Sequence, residues 1–293
     1  MNRKLIINAD DFGWSRKVTD QIIECHTNGI ITSTTMMVNM PGTDYAASKV
    51  NEYPNLSVGL HLNLTEGTPL SEPNAIPDLI NEGGVFPGHK QQQHNIVKTS
   101  KFDAQIELEV DAQLSKFADF GITPTHCDSH HGIHKAPAVQ RALIKLLPKY
   151  GVRKIRTPLS YHRIRRDVQI FKGIIPCLMK NGIRLPAIFM HYLSHRRLNN
   201  AGLKTPDWKA TRYMGLPTNP DSKSEIIACI AATPEGVSEI LLHPGNYEES
   251  ENPSDWHLKT WEADTPICLD EDVKAFIKNT GIQLISYKEL GEL

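Results

Sequence analysis

The sequence has no long hydrophobic run and no excess of charge of either sign. No segment approaches the roughly 18 consecutive apolar residues of a membrane-spanning helix. The apolar stretch near the N-terminus, Leu5 to Ile7, is too short for a signal peptide. The net charge is -1, which excludes a general polyanion binder because such proteins need a basic excess to release counterions from nucleic acid. We expect no membrane partner and no nucleic-acid partner.

Paired cysteines are also missing. The five cysteines are scattered and never spaced as Cys-x-x-Cys. This usage is typical of reduced thiols in a cytosolic protein rather than of a disulfide framework. The apolar content of 40% and the charged content of 22% are ordinary for a soluble globular protein. We therefore expect a cytoplasmic protein whose 293 residues can bury a sizeable core.

Two adjacent carboxylates follow the first apolar run. Lys4–Ile7 predicts a short buried strand, and Asp10 and Asp11 come just after it. Like charges side by side repel each other and are costly to bury, and a divalent cation is the commonest compensation. Both side chains can face one site only if the backbone turns, which Gly13 permits. The alternative is a solvated turn before a helix, with Ser15 or Asp11 as its N-cap.

Apolar and β-branched runs alternate with helical patterns along the chain. The predicted strands are Lys4–Ile7, Ile30–Asn39, Leu56–Leu64, a strand that begins at Thr125 and continues to about His130, Lys154–Pro158, Ser238–Leu242 and Ile282–Ser286. The predicted helices are Lys17–Asn28, Asp44–Asn51, Lys101–Phe120, Lys135–Lys149, Ile164–Asn181, Ser222–Ala232 and Glu271–Asn279. The alternation indicates parallel βα units in an α/β fold, and about seven strands favour a (β/α) barrel over a six-stranded open sheet.

The domain organisation follows from this pattern. We expect a single barrel domain over residues 1–293, because no linker or repeat divides the chain. Proline, glycine and glutamine interrupt the pattern at about 65–100, which predicts a long loop excursion of the kind that serves as a lid or binding loop. Residues at about 159–235 form a variable region in which the pattern is weak.

The third predicted strand, Leu56–Leu64, has the clearest alternation in the sequence. Its valine and leucine side chains share one face, whereas His61 and Asn63 share the other. Helices would cover the apolar face, so His61 and Asn63 are expected in a polar interior. A lone histidine is otherwise more often a hydrogen-bonded core residue, and this alternative stays open for His61.

Histidine is concentrated in one segment. Four histidines lie in the nine residues from His126 to His134, although the whole chain has only 13. On a continuing strand, His126, Asp128 and His130 share a face at steps of about 6.6 Å. One or two of these side chains could bind a metal, and the others would hold the ligands in orientation. His131 and His134 are expected to follow in an exposed loop or at a helix start.

In (β/α) barrels, functional side chains gather where strands give way to the following loops. The polar residues named above share this position, together with Arg156 and His243. Arg156 is interpreted in two ways, as a clamp for a hydroxyl-rich or anionic substrate or as the structural partner of an acidic neighbour. His243, which precedes a Pro-Gly pair, is either a proton donor or an ordinary loop histidine.

Several segments together resemble the YdjC-like carbohydrate deacetylases. Members characteristically show an Asn-Ala-Asp-Asp-Phe-Gly start, a Thr-Ser-Thr-Thr strand, a Gly-Leu-His-Leu-Asn-Leu strand and a Thr-His-x-Asp-Ser-His segment. The chain has these in the same order, as Asn8–Gly13, Thr32–Thr35, Gly59–Leu64 and Thr125–His130. An Arg-x-Pro element at residues 156–158 and a late His-Pro at residues 243–244 also match, and the resemblance is tight through about residue 158.

The resemblance implies a distorted TIM-like (β/α) barrel with its active site at the C-terminal strand ends. It also implies one divalent metal ion, Mg²⁺ or Zn²⁺. At the matching positions, Asp11, His61 and His130 would be the metal ligands, and Asp10 would be the general base. The sequence departs from the family at Gly132, where another histidine is common. This departure leaves the metal triad intact but alters the loop that would contact substrate.

The implied reaction removes the N-acetyl group from an N-acetylated sugar or oligosaccharide of the chitooligosaccharide type and releases acetate. His243 is the expected general acid for the leaving amine. Asn63, His126, Asp128 and Arg156 are expected to bind substrate or to orient the ligands. The expected partner is the sugar substrate, and a homodimer is left open.

Two other functions fit the same residue types. A two-His-one-carboxylate Fe(II) oxygenase uses the same kinds of ligand, although such sites usually lie in antiparallel β-folds. A non-catalytic carbohydrate-binding protein with a vestigial site would bind sugar without releasing acetate. An acetate-release assay and an oxygen-consumption assay separate the three functions.

Overall fold

A parallel sheet of seven strands lies at the centre of the described residues. The computed structural model describes residues 2–98, 102–160, 184–211, 222–247 and 255–292. The strands are β1 (Arg3–Phe12), β2 (Ser33–Met36), β3 (Ser57–Leu62), β4 (Cys127–Ser129), β5 (Trp208–Thr211), β6 (Gly236–Leu242) and β7 (Gln283–Leu284). Their order is β4-β3-β2-β1-β6-β5, all parallel, and β7 pairs with the first half of β1.

Helices connect these strands. Those within the described ranges are α1 (Arg16–Thr27), α2 (Thr43–Val50), α3 (His89–Lys98), α4 (Asp103–Asp119), α5 (Pro137–Leu146), α6 (Arg184–Asn200), α7 (Ser222–Ala231), α8 (Asp255–Leu269) and α9 (Glu271–Asn279). Short 3₁₀ turns cover Pro73–Ala75, His130–Lys135 and Leu147–Tyr150. Among these described helices, none combines the length and the apolarity needed to cross a membrane.

The two edge strands of the sheet are joined by the segment 154–160. Isolated parallel bridges link Cys127 of β4 to Ile155 and link Ser160 to Lys209 of β5. The sheet therefore curls into an incomplete barrel with helices around it. The predicted α/β class and the distorted (β/α) barrel are confirmed.

The alternation predicted for the third strand is also observed. Val58, Leu60 and Leu62 of β3 belong to the main apolar core and are nearly inaccessible to solvent. Helix α4 packs against β3 and buries an apolar stripe of its own, formed by Ile106, Val110, Leu114 and Phe117. The opposite face of β3 is buried as well, and it carries His61 into the barrel interior.

Several sequence-based boundaries need correction. β1 does not end at Ile7 but continues to Phe12, so the two aspartates belong to the strand. β4 ends at Ser129, so His130 lies just after the strand, because the backbone turns there into a 3₁₀ segment. The expected strand at residues 154–158 is present only as isolated bridges.

Three of the described helices, α3, α6 and α8, are not predicted from the sequence, and α6 lies in the region where the pattern is weak. Helix α3 lies inside the expected loop excursion, in a glutamine-rich segment with few apolar residues to set a helical period. Helix α8 contains Pro266, a residue type that argues against a helix interior. The predicted helix Ile164–Asn181 lies outside the described residues, and the variable region 159–235 is described only in part.

Candidate metal centre

The backbone of β1 bends at the two aspartates. The pairing of β1 with β2 loses its regular register between Ala9 and Phe12, and Asp11 has φ of 70°. A non-glycine residue in this left-handed conformation costs on the order of 1–3 kcal/mol. The bend lets consecutive carboxylates, which would alternate on a straight strand, both reach groups at the carboxyl end of the sheet.

Asp11 faces two histidines from neighbouring strands. Its Oδ1 lies 3.2 Å from Nε2 of His61 at the end of β3 and 3.1 Å from Nδ1 of His130, which follows β4. The three side chains are at most 4% exposed, and their ligand atoms lie within 4.8 Å of one another. β1, β3 and β4 thus bring three residues that are distant in sequence to one point.

The charges of this group depend on one another. Burial raises the pKa of Asp11, but the facing His130 and His61 outweigh burial and hold this pKa well below its usual range. Burial lowers the pKa of both histidines, but the surrounding carboxylates raise the pKa to about 10 for His61 and about 9 for His130. Protons therefore compete with a metal ion for these nitrogen atoms, because ligating histidines must be neutral.

Asp128 holds the ring of His61 in place. Its Oδ1 lies 2.6 Å from Nδ1 of His61, so the other ring nitrogen, Nε2, is directed at Asp11. Thr35 on β2 donates a hydrogen bond of 3.1 Å to the second carboxylate oxygen of Asp128. A carboxylate behind a histidine fixes its tautomer and orientation, and this arrangement recurs in metal sites.

Asp10 makes a bidentate pair with Arg156. The guanidinium donates from Nη1 to Oδ2 at 2.8 Å and from Nη2 to Oδ1 at 2.6 Å. The same guanidinium contacts Asp128 at 2.6 Å and donates from Nε to Glu239 at 2.8 Å. Burial raises the pKa of Asp10, but Arg156 lowers it below its usual range. Asp10 is therefore held ionised and in a fixed orientation.

His243 lies close to Asp10. It follows β6, and its Nε2 lies 3.9 Å from Oδ2 of Asp10. Its Nδ1 lies 4.0 Å from Oδ2 of Asp264, which also accepts a hydrogen bond of 2.8 Å from the backbone N–H of His243. The histidine side chain is 12% exposed, more than any member of the Asp11 group.

The residues present fit a divalent cation. Both carboxylate oxygens of Asp11 are buried without a hydrogen bond of good geometry. A buried carboxylate normally satisfies both oxygens, whereas Oδ1 of Asp11 meets only the two imidazoles, which are themselves metal ligands by type. Two histidines and one carboxylate are the usual donors of a zinc-type site that keeps positions open for water or substrate. The described side chains could therefore hold a divalent metal ion.

Comparison with known proteins shows which family the chain belongs to. The sequence matches the family described as YdjC-like protein over residues 4–279. The chain belongs to the YdjC-like family. It is 32% identical to the carbohydrate deacetylase of Brevibacillus brevis (strain 47 / JCM 6285 / NBRC 100599) over 288 residues, which cover 98% of this chain and 100% of that protein.

Two further relatives are informative. The chitooligosaccharide deacetylase of Proteus mirabilis (strain HI4320) is 43% identical over 137 residues, which cover 46% of this chain and 51% of that protein. The crystal structure of a proposed cellobiose-phosphate cleavage protein of Enterococcus faecalis V583 superposes with a TM-score of 0.76 at 26% identity and covers 99% of both chains.

In this YdjC-like chain, His126 and Asn63 do not contact the Asp11 group directly but support the residues around it. His126 is fully buried and stacks on Tyr287 with ring centroids 3.6 Å apart. Its Nε2 lies 3.2 Å from Oδ1 of Asn8, whose amide donates to Asp10. Asn63 shapes a turn, because its Oδ1 accepts from the backbone N–H groups of residues 65 and 66.

The expectation that His131 and His134 are exposed is wrong for His134. His134 is not exposed but fully buried, because the 3₁₀ turn folds it back onto β4. Its Nδ1 lies 2.6 Å from Oγ of Ser129, and its backbone N–H donates to the same oxygen. His131 is partly buried, with its side chain 25% exposed.

Sequence reasoning missed Glu66 and Glu239. Glu66 lies 3.8 Å from both His130 and His131, and Glu239 is a fully buried partner of Arg156. Glu239 had a detectable signal, since a charged residue in the middle of an apolar strand must be paired inside the fold. Glu66 carried no such signal, because it follows β3 in a loop where charged residues are common.

Proposed function

We propose that this YdjC-like chain is a metal-dependent hydrolase that removes the N-acetyl group from an N-acetylated sugar or oligosaccharide and releases acetate. The observation that carries the proposal is the buried Asp11–His61–His130 group with both Asp11 oxygens lacking hydrogen bonds. The names of the curated relatives, carbohydrate deacetylase and chitooligosaccharide deacetylase, support the choice of reaction and substrate.

Asp11, His61 and His130 would hold one divalent ion, Mg²⁺ or Zn²⁺. Such an ion, when bound, polarises an acyl carbonyl and lowers the pKa of a coordinated water from 15.7 toward about 7. Asp128 supports this role, because it fixes the tautomer of His61. Burial of all three ligands keeps the field of the ion from being screened by solvent.

Asp10 is the proposed general base. Its carboxylate would accept the proton of the water that attacks the acetamide carbon, and Arg156 keeps the carboxylate ionised and oriented for this transfer. The acetamide C–N bond then breaks. His243 is the proposed general acid, because its Nε2 lies 3.9 Å from Oδ2 of Asp10, and it would donate its proton to the departing amine nitrogen.

The test is a screen for acetate release. The protein is treated with a chelator, and Mg²⁺, Zn²⁺ or another divalent ion is added back with N-acetylglucosamine, its oligomers or other N-acetylated sugars. We expect metal-dependent acetate release in stoichiometric amounts with free amine.

Two outcomes would overturn the proposal. Sugar binding without acetate release across the whole screen would favour a non-catalytic carbohydrate-binding protein. Oxygen consumption with Fe²⁺, measured in an oxygen electrode, would favour a two-His-one-carboxylate oxygenase instead.

A further inference from the structure

We propose that a second divalent cation binds beside the first, held by Glu66, His131 and Nε2 of His130. The inference rests on the proposed function in one respect only, because it takes Asp11, His61 and His130 as the ligands of the first ion. His130 would be shared, with Nδ1 toward the first ion and Nε2 toward the second, whereas Glu66 and His131 belong to the second site alone.

The distances favour a shared ion. Oε1 of Glu66 lies 3.8 Å from Nε2 of His131 and 3.8 Å from Nε2 of His130. The ligand atoms of these three residues lie within 4.8 Å of one another. The separations are too long for direct hydrogen bonds, but they match pairs of ligand atoms on either side of one cation.

The backbone is bent to present His131. This residue has φ of 54°, and Gly132 after it has φ of 66°. On a regular strand, His130 and His131 would face opposite ways, yet their ring centroids are 4.0 Å apart. A left-handed conformation is unfavourable for histidine and is found mainly where the surrounding structure requires a side chain to be aimed.

Neighbouring side chains fix both candidate ligands. Nδ1 of His131 lies 3.0 Å from Oγ1 of Thr65, so Nε2 is the nitrogen that faces Glu66. The turn that carries Glu66 is held by Asn63, whose side chain accepts from the backbone N–H of Glu66 and donates to its carbonyl oxygen at 2.7 Å. Such supporting contacts behind the ligands are characteristic of metal sites.

His130 supplies the third ligand through Nε2, since its Nδ1 faces Asp11. This Nε2 is buried with no hydrogen-bond partner, although it lies 3.8 Å from Oε1 of Glu66. A buried imidazole nitrogen without a partner, next to a carboxylate, is explained if a cation lies between them. His89 begins helix α3, and its ring packs 4.3 Å from that of His131 between centroids.

The donor set selects the kind of cation. Imidazole nitrogens with one carboxylate suit Zn²⁺ or Co²⁺, whereas Mg²⁺ prefers oxygen ligands and retains its waters. The second site should therefore bind Zn²⁺, and the first site, which has the same types of donor, should also prefer Zn²⁺ to Mg²⁺.

The experiment counts metal ions on the full chain. Wild-type protein and variants are stripped with a chelator, dialysed against Zn²⁺ and analysed for zinc per chain. We expect two ions in wild type and one in each of Glu66→Gln and His131→Asn. Asparagine is chosen at position 131 because it tolerates positive φ better than most residues. His26→Gln, on the remote helix α1, is the matched control and should keep two ions.

Asp11→Asn separates this inference from the proposed function. It should retain one ion at the second site, and the Asp11→Asn/His131→Asn double variant should retain none. One ion in wild type with none in Asp11→Asn would refute the second site while leaving the first intact. Two ions in His131→Asn would likewise refute it, provided that circular dichroism shows a wild-type fold.

Discussion

Replacing Arg156 with methionine should destabilise the protein far more than the same change at an exposed arginine. Arg156 is 2% exposed and lies within 2.8 Å of the carboxylates of Asp10, Asp128 and Glu239. Arg156→Met leaves these carboxylates facing one another without their shared cation. Removing one partner of a buried ion pair costs about 3–5 kcal/mol. In a protein of this size, that corresponds to a fall in Tm of about 6–20 °C.

Arg141 provides the matched control. It makes a similar forked contact with one carboxylate, that of Asp103, at 2.9 Å from Nε and 2.7 Å from Nη2, but its side chain is 52% exposed. Exposed ion pairs contribute about 0–1 kcal/mol. Arg141→Met should therefore lower Tm by no more than about 4 °C. Both variants are followed by circular dichroism during thermal unfolding of the metal-free protein.

The stability deficit of Arg156→Met should shrink as pH falls. In the wild type, Arg156 keeps the folded-state pKa of Asp10 below its unfolded value. This carboxylate therefore contributes stability above the unfolded pKa of about 3.9, and the contribution is lost as pH falls through the folded pKa. In the variant, repulsion among the carboxylates raises the pKa of Asp10 and Glu239 instead, and protonation relieves the repulsion. A Tm within about 4 °C of wild type at neutral pH, or a deficit independent of pH, would refute this reasoning.

Four further changes test the site and the packing beneath it. Asp11→Asn should lower the zinc content by one ion per chain relative to wild type, as measured by elemental analysis after dialysis against Zn²⁺; a wild-type zinc content would remove Asp11 from the ligand set. Asp10→Asn should keep the metal but lower acetate release by about 10²–10⁴-fold, and near wild-type turnover would exclude Asp10 as the base. His243→Gln should lower kcat more than it raises KM. An effect on KM alone would show that His243 binds substrate and is not the general acid. Gly59→Ala should lower the free energy of unfolding by about 1–3 kcal/mol. A Cβ at this position would lie 2.6 Å from the ring of His126 and 2.7 Å from the carbonyl oxygen of His126. An unchanged Tm would show that the ring of His126 moves aside.

The sequence predicts the fold well where the signals are local. Alternating valine and leucine residues in β3 and the helical stripe of α4 specify which face is buried, and both predictions are confirmed. Helix α9 has the predicted bounds because Asp270 caps its N-terminus and its apolar period is regular. Helix α8 has no such local signal, because its proline and polar residues obscure the period and its packing against other elements decides its conformation.

The sequence predicts which residue types form the site, but it does not predict the hydrogen bonds and ion pairs that hold them. Polar side chains at strand ends pick out Asp11, His61 and His130, because parallel strands bring their carboxyl ends to one edge of the sheet. The partners of these residues depend on which strands are neighbours. Glu239 meets Arg156 only because the sheet curls and brings the segment after β4 back toward β6. Sequence spacing alone carries no information about that contact.

Side chains do not alternate between the two faces of the strand at Asp11 and at His131, which are both positions of the proposed metal sites. Among the described residues, Asp11 and His131 are the non-glycine positions with positive φ, and each is followed closely by a glycine with positive φ, Gly13 or Gly132. In both cases two consecutive polar residues must face the same cavity, which a straight strand forbids. The strain, on the order of 1–3 kcal/mol at each position, would be relieved by glycine. The presence of a carboxylate and an imidazole at these positions therefore indicates that the side chains themselves are required. Asp11 belongs to the proposed first ion, and the same physical reasoning makes His131 a ligand rather than a bystander.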